Sequence, residues 1–219
     1  MDTAVALAQA YLHVNGYLTV TEYPVAELTR KHGVQSATDI DVIGIRLPQA
    51  GGIVPAKRKN HVNGFVADPV LGVEEGITDF VIAEVKEGPA GLNKGARNPA
   101  VLTAVLLRFG CGPASEVQQN VERLLRQGTS RTSTNMQVRL VAFGSEADAV
   151  PPVPSLEISH AHVLRFLQDH MRGHWELFRT MHTKDPAFGF LLLMEKAFRA
   201  ESYLSGHEQH QMIQLPPPA

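Results

Sequence analysis

The sequence predicts an α/β fold: a mixed, mostly buried central sheet flanked by helices, with a further helical layer at the C-terminus. Three observations carry this expectation. Residues 38–46 and 80–87 are rich in β-branched and apolar residues, with apolar residues on both faces, as in strands covered on each side. Helical patterns stand before, between and after such segments. A Pro-rich stretch at 145–155 then separates them from two more helical patterns.

The elements follow in order. Ala4, Leu7, Ala8, Tyr11 and Leu12 fall on one helical face, which predicts a helix over 3–14. Asn15-Gly16 ends it, glycine being the usual residue just past a helix. Residues 17–25 alternate and favour β structure, with Pro24 marking an edge position or the strand's end. Residues 26–37 read as a polar connection leading into the acidic strand. A long loop follows from 47 to 78, with Gly51-Gly52, Pro55 and Pro69, and with Asn63-Gly64 as a candidate tight hairpin turn. Beyond the strand at 80–87, Asn98 reads as an N-cap with Pro99 at the first helical position. Val101 to Phe109 is a nearly all-apolar, hence buried, helix. Ser115 reads as the cap of another helix, which runs through Val117, Val121, Leu124 and Leu125 to Gly128. Residues 129–135 read as a Ser/Thr loop, and 137–144 as the fourth strand. Ser159 caps a helix through Val163, Phe166, Leu167 and His170. Asp185-Pro186 opens the last, through Phe190, Leu193 and Met194. The expected organisation is a core over 1–150, a helical extension packed on it over 151–204, and a tail without order over 205–219.

Composition narrows the function classes. The 219 residues are 44% hydrophobic and 19% charged, which places the chain as globular. The net charge of −2 supplies no global basic field, so any surface for nucleic acid is a local patch. A single cysteine, Cys111, excludes an intrachain disulfide and fits a reducing compartment. No apolar run has membrane-spanning length and no signal-peptide pattern opens the sequence, so the expectation is a cytoplasmic protein without a membrane partner. The sequence leaves a homo-oligomer open.

The chemistry gathers at two strands. Glu84 and Lys86 are two apart, so they share one strand face, ~6.6 Å apart along the chain. A charge buried alone is costly unless it is paired or coordinates a metal. Asp39 and Asp41 likewise share one face of the earlier strand. Paired strands lie ~4.8 Å apart, so Asp41 and Glu84 could together hold one hard cation, Mg²⁺ or Mn²⁺, with Lys86 beside it. Carboxylates more than ~10 Å apart, about twice the strand spacing, would exclude this.

In these residues, Thr38-Asp39-Ile40-Asp41-Val42-Ile43 and Glu84-Val85-Lys86, the chain resembles the PD-(D/E)xK nuclease superfamily, the restriction-endonuclease-like fold. The order helix, strand, acidic strand, ExK strand, helix, strand also resembles that family's core, over roughly residues 3 to 144. The resemblance implies a restriction-endonuclease-like mixed sheet and a metal-dependent nuclease, with DNA a better substrate than RNA. It implies Asp41 and Glu84 as metal ligands, the Val85 carbonyl as a further metal oxygen, and Lys86 as the catalytic cation. Family relatives often carry another acid on the first helix. Here that helix has only Asp2, so Glu22 and Asp39 are the accessory candidates.

Other readings stand beside these. The chain could keep such a fold yet act as a non-catalytic nucleic-acid- or protein-binding module. Glu84 and Lys86 could be a surface ion pair worth ~0–1 kcal/mol. Lys57, Arg58 and Lys59, with Lys94 and Arg97, are candidate contacts to a nucleic-acid backbone, although three cations in a row are more often a solvated loop. Asp68 is a rival metal acid, set back by the turn chemistry of Asp68-Pro69. His170 and His174 have a spacing that could chelate Zn²⁺, but no third ligand is placed, and a structural or surface role is favoured.

Overall fold

The computed structural model describes residues 2–29, 33–51, 65–146 and 152–212, the side chains of 27–37 and 201–212 excepted. It divides into two compact units, Met1–Phe166 and Leu167–Ala219.

The first unit is an α/β layer structure. Helix α1 (Thr3–Val14) starts where the Asp2 carboxylate accepts the Ala4 N–H at 2.9 Å. Strands β1 (Tyr17–Thr29) and β2 (Gly33–Arg46) form a long antiparallel hairpin. It is longer than the sequence suggests, because 26–29 pair with 33–36 and the ladder satisfies backbone groups whatever the side chains are. Strand β3 (Thr78–Val85) pairs antiparallel with β2. The chain then crosses over through α2 (Pro99–Phe109) and α3 (Val117–Gln127) to β5 (Met136–Gly144), which lies parallel to β3. Asn98 caps α2 through Ala100 N–H at 2.9 Å, with Pro99 at its first position, as the residue types require.

Three expectations are corrected. Ser115 does not cap α3; it lies inside a 3-10 turn, Ala114–Glu116, that leads into the helix. Residues 129–131 are not loop but strand β4 (Thr129–Arg131), paired antiparallel with the first half of β5. The Pro-rich stretch is not where the sheet ends, since β6 (Leu156–Ser159) follows it and runs parallel to the second half of β5. β4 and β6 are both too short to show a period-2 pattern; the open edge of β5 recruits them. The result is a mixed six-stranded sheet of order β1-β2-β3-β5-β4, with β6 also on β5.

Both faces of the sheet are covered. On one, Ile43, Phe80, Ile82, Val138, Leu140 and Ala142 pack with the apolar residues of α2 and α3. On the other, Val42, Val81, Ala83 and Phe143 are buried, and Tyr11 of α1 meets Phe143 edge-on at 6.0 Å. The same face buries a charge pair: Arg139 (7% exposed) donates from Nε to Asp79 (0%) at 2.9 Å. The Tyr17 hydroxyl also donates to Asp79, and Arg139 donates to the Leu71 carbonyl. Burial of such a pair is tolerable because its remaining hydrogen-bonding capacity is used.

Helix α4 (His160–Gly173) begins where Ser159 Oγ accepts the His162 N–H at 3.1 Å. In the second unit, α5 (Trp175–Phe178) precedes α6 (Pro186–Met212). Asp185 caps α6 through Phe188 N–H at 2.8 Å. Glu195 of α6 accepts from Arg172 and Arg199, and the Arg199 guanidinium stacks 4.3 Å from the Trp175 ring centroid. Residues 205–212, expected to lack order, belong to α6; residues 213–219 lie outside the described residues. No helix among the described residues is long and apolar enough to cross a membrane.

Candidate functional site

Register brings the expected acids together. The β2–β3 ladder pairs Val42 with Ala83 at its last step, and these residues directly adjoin Asp41 and Glu84 in the chain. Their carboxyl groups lie within hydrogen-bonding reach of each other. Asp41 Oδ2 accepts the Val85 N–H at 2.7 Å, taking the backbone donor that the ladder leaves open where it ends. In a strand a residue's N–H and C=O point to the same side, so the Val85 carbonyl faces the Asp41 edge as well.

Glu84 is 5% exposed, and its two oxygens have different surroundings. Oε1 accepts from Asn93 Nδ2 at 2.6 Å. Oε2 is buried and receives no donor from the described residues. Burial, then the charge of Asp41, push the Glu84 carboxyl up to about 8, against the pull of Lys86 and the Asn93 amide. Burial also raises Asp41, as do the charges of Asp2 and Asp39, while the Val85 N–H and Glu84 hold it down. Two carboxyls this close cannot easily ionise together, which is why the Asp41 charge adds to burial in raising Glu84.

Lys86 follows β3 directly, half-buried, and its charge acts on Glu84. Its backbone is pinned on both sides: its N–H donates to Phe143 O at 3.0 Å, and its carbonyl accepts from His160 Nε2 at 2.7 Å.

The backbone is irregular at this point. Ile40 and Ile43 both join the cluster under α2 and α3, although strict alternation would send residues three apart to opposite faces. The slip falls around Asp41. Across from it on β1, between the pairs Thr21–Val42 and Tyr23–Ile40, Glu22 has φ 52°. A non-glycine residue in the left-handed region inside a strand is costly and tends to occur at functional positions. Glu22 itself is exposed, as is Asp39, which pairs with Pro24.

The remaining candidates separate. Lys94 is exposed and Arg97 partly buried, both on the loop that carries Asn93; Arg97 Nε donates to Asn93 O at 3.1 Å. Lys57, Arg58 and Lys59 lie outside the described residues, as does the Asn63-Gly64 turn. Asp68 does not join the pair. It accepts from the Tyr11 hydroxyl at 2.7 Å, from His162 Nε2 at 2.6 Å and from the Val70 N–H at 3.0 Å, tying α1, the loop and α4 together. His170 and His174 stand with ring centroids 4.6 Å apart, and burial lowers His170 to about 4. A cavity of about 840 Å³ lined by Arg46, Gln49, Phe65 and Glu75 sits at the other end of β3, where Arg46 pairs with Asp79. None of the expected site residues lines it.

Two contributors escape the sequence. Asn93 accepts the Ala96 N–H at 2.7 Å on Oδ1, which leaves its NH₂ for Glu84. The short Asn-to-backbone turn is legible as local chemistry, but its contact with a strand nine residues earlier is not. His160 reaches Lys86 from 74 residues away, and no local pattern announces it.

The oxygen donors suit a hard divalent cation. Glu84 Oε2 lacks a donor, Asp41 stands beside it, and the Val85 carbonyl faces the same edge. Among the described residues no group of three or more His, Cys, Asp or Glu side chains could hold a metal ion. A pair of carboxylates completed by solvent or substrate oxygens is nevertheless the arrangement that Mg²⁺ accepts. No protein-family model matches the chain, and neither a curated protein nor a solved structure is detectably similar to it.

Proposed function

We propose that the chain is a divalent-metal-dependent nuclease of the restriction-endonuclease-like type, hydrolysing phosphodiester bonds in DNA. The observation that carries the reading is the register of β2 on β3. It brings Asp41 beside Glu84 just past the last pair of the ladder, with the charge of Lys86 acting on Glu84.

Asp41, Glu84 Oε2 and the Val85 carbonyl hold the cation, Mg²⁺ or Mn²⁺. When bound, that cation supplies Lewis acidity to the phosphoryl oxygen and to an attacking water. Lys86 holds a fixed positive charge beside Glu84 and stabilises the charge that grows on the phosphate in the transition state. Its pinned backbone limits the reorganisation that such stabilisation would otherwise cost. Asn93 keeps Glu84 in one orientation. Lys94 and Arg97, on the adjoining loop, offer positive charge to the flanking phosphates. Asp39, whose charge acts on Asp41, and Glu22 are the accessory acids, for the surroundings of the ion or for a second one. The Lys57-Arg58-Lys59 cluster adds to substrate affinity rather than to chemistry.

The test is cleavage of labelled single- and double-stranded DNA, with RNA alongside, in Mg²⁺ or Mn²⁺. Lys86→Ala is expected to lose about 10²- to 10³-fold in rate, as for loss of one transition-state donor, while keeping fold and DNA affinity. Asp41→Ala is expected to lose metal affinity as well as rate. Equal, metal-independent cutting by wild type and Lys86→Ala would refute the reading and favour a non-catalytic binding module.

A further inference from the structure

The two oxygens of Glu84 are not equivalent, and the cause is a single side chain. Asn93 Nδ2 donates to Oε1 at 2.6 Å. Asn93 cannot turn away cheaply, because its own Oδ1 accepts the Ala96 N–H at 2.7 Å and its carbonyl accepts Arg97 Nε at 3.1 Å. The loop is seated as well: a Cβ on Gly95 would stand 2.4 Å from Thr38 Oγ1 on β2. Glu84 is thereby held with Oε1 occupied and Oε2 buried without a donor.

From this we infer that Asn93 is a positioning residue that sets the cation preference of the Asp41–Glu84 site, favouring Mg²⁺ and Mn²⁺ over Ca²⁺. The inference rests on the proposed metal reading of that pair. Chelation by both oxygens of a carboxylate requires the group to turn so that both face the ion. Ca²⁺ takes six to eight oxygens and commonly uses carboxylates in this two-oxygen mode, whereas Mg²⁺ demands near-octahedral geometry from single oxygens. A Glu84 tied at Oε1 offers one oxygen and resists the turn. Releasing it removes the restriction that penalises Ca²⁺ and the pre-organisation that Mg²⁺ uses.

The experiment needs neither substrate nor turnover. Mn²⁺ is titrated into the full-length protein and followed by its paramagnetic resonance signal, then displaced with Mg²⁺ or Ca²⁺. Wild type, Asn93→Ala, Asn93→Ser and Asp41→Asn are compared. Serine can still accept the Ala96 N–H through its hydroxyl but has no amide to reach Glu84, so it separates loss of the clamp from loss of the loop. Both Asn93 variants are expected to bind Mg²⁺ about 10–100-fold more weakly, the usual effect of removing a group that orients a ligand, with Ca²⁺ affinity held or raised. Equal changes for Mg²⁺ and Ca²⁺, or no change in either, would overturn the inference while leaving the metal site standing. Failure of the wild type to bind Mn²⁺, or binding unaffected by Asp41→Asn, would overturn the metal reading and this inference with it.

Discussion

The raised titration of Glu84 has a stability consequence that Glu84→Gln exposes. In the metal-free fold the Glu84 carboxyl titrates at about 8, against 4.5 ordinarily, because burial and the Asp41 charge disfavour ionisation. Between these values the folded protein keeps a proton that the unfolded chain releases. Stability therefore falls as pH rises through the window, being fully present below about 4.5 and lost above about 8. The gap, at about 1.4 kcal/mol per pH unit, sets a ceiling of about 5 kcal/mol. Water entering around the ionised group and relaxation of Asp41 bring the effect to a few kcal/mol. Glutamine mimics the protonated form: its carbonyl accepts from Asn93 and its NH₂ can donate toward Asp41. Urea unfolding in EDTA at pH 5 to 9 should show wild type weakening toward pH 9. Glu84→Gln should be nearly flat across that range and more stable than wild type at pH 9, with no advantage at pH 5. Mg²⁺ should restore wild type at high pH, by binding the folded state, and leave the variant unmoved. A flat wild-type profile, or a variant as pH-dependent as wild type, would refute the raised Glu84 carboxyl.

Other perturbations probe the scaffold and the substrate surface. Arg139→Met would leave Asp79 buried without its cation and should cost about 3–5 kcal/mol in urea unfolding; a loss no larger than the ~1 kcal/mol of a surface pair would contradict the burial of that pair. Gly95→Ala must displace Thr38, three residues before Asp41, at a cost of about 1–3 kcal/mol, and should weaken Mn²⁺ binding by shifting Asn93; unchanged stability and binding would show that the loop is not seated on β2. Neutralising Lys57, Arg58 and Lys59 together should flatten the salt dependence of DNA affinity by up to about 0.9 in log–log slope for each phosphate that is no longer neutralised. An unchanged slope would return that cluster to solvent.

Much of the fold was legible because its signals are local. Asn98-Pro99 opens α2 and Gly110, with φ 67°, closes it, as a cap residue and a left-handed glycine should. Helix α1 spans the residues its apolar periodicity marks out, and the run Phe80-Val81-Ile82-Ala83 forms a buried strand. The acids of β2 and the Glu-x-Lys of β3 were legible as residue types at suggestive spacings. The rest depended on pairing across the sheet, for one recurring reason: a strand's hydrogen bonds are satisfied by a partner distant in sequence. Residues 26–29 and 33–36 are strand because each completes the other's ladder, and β4 and β6 exist because β5 has an open edge. The shared cluster of Ile40 and Ile43 and the positive φ of Glu22 belong to the paired hairpin, not to either strand alone. The meeting of Asp41 with Glu84 comes from the same source, since a change of one residue in the β2–β3 register would send one carboxyl to the other face of the sheet. Residue types and their spacing set which side chains could do the chemistry. The register brought two of them side by side, and the folded-back loop brought Asn93, which no pattern marked, to hold one of the four carboxyl oxygens in place.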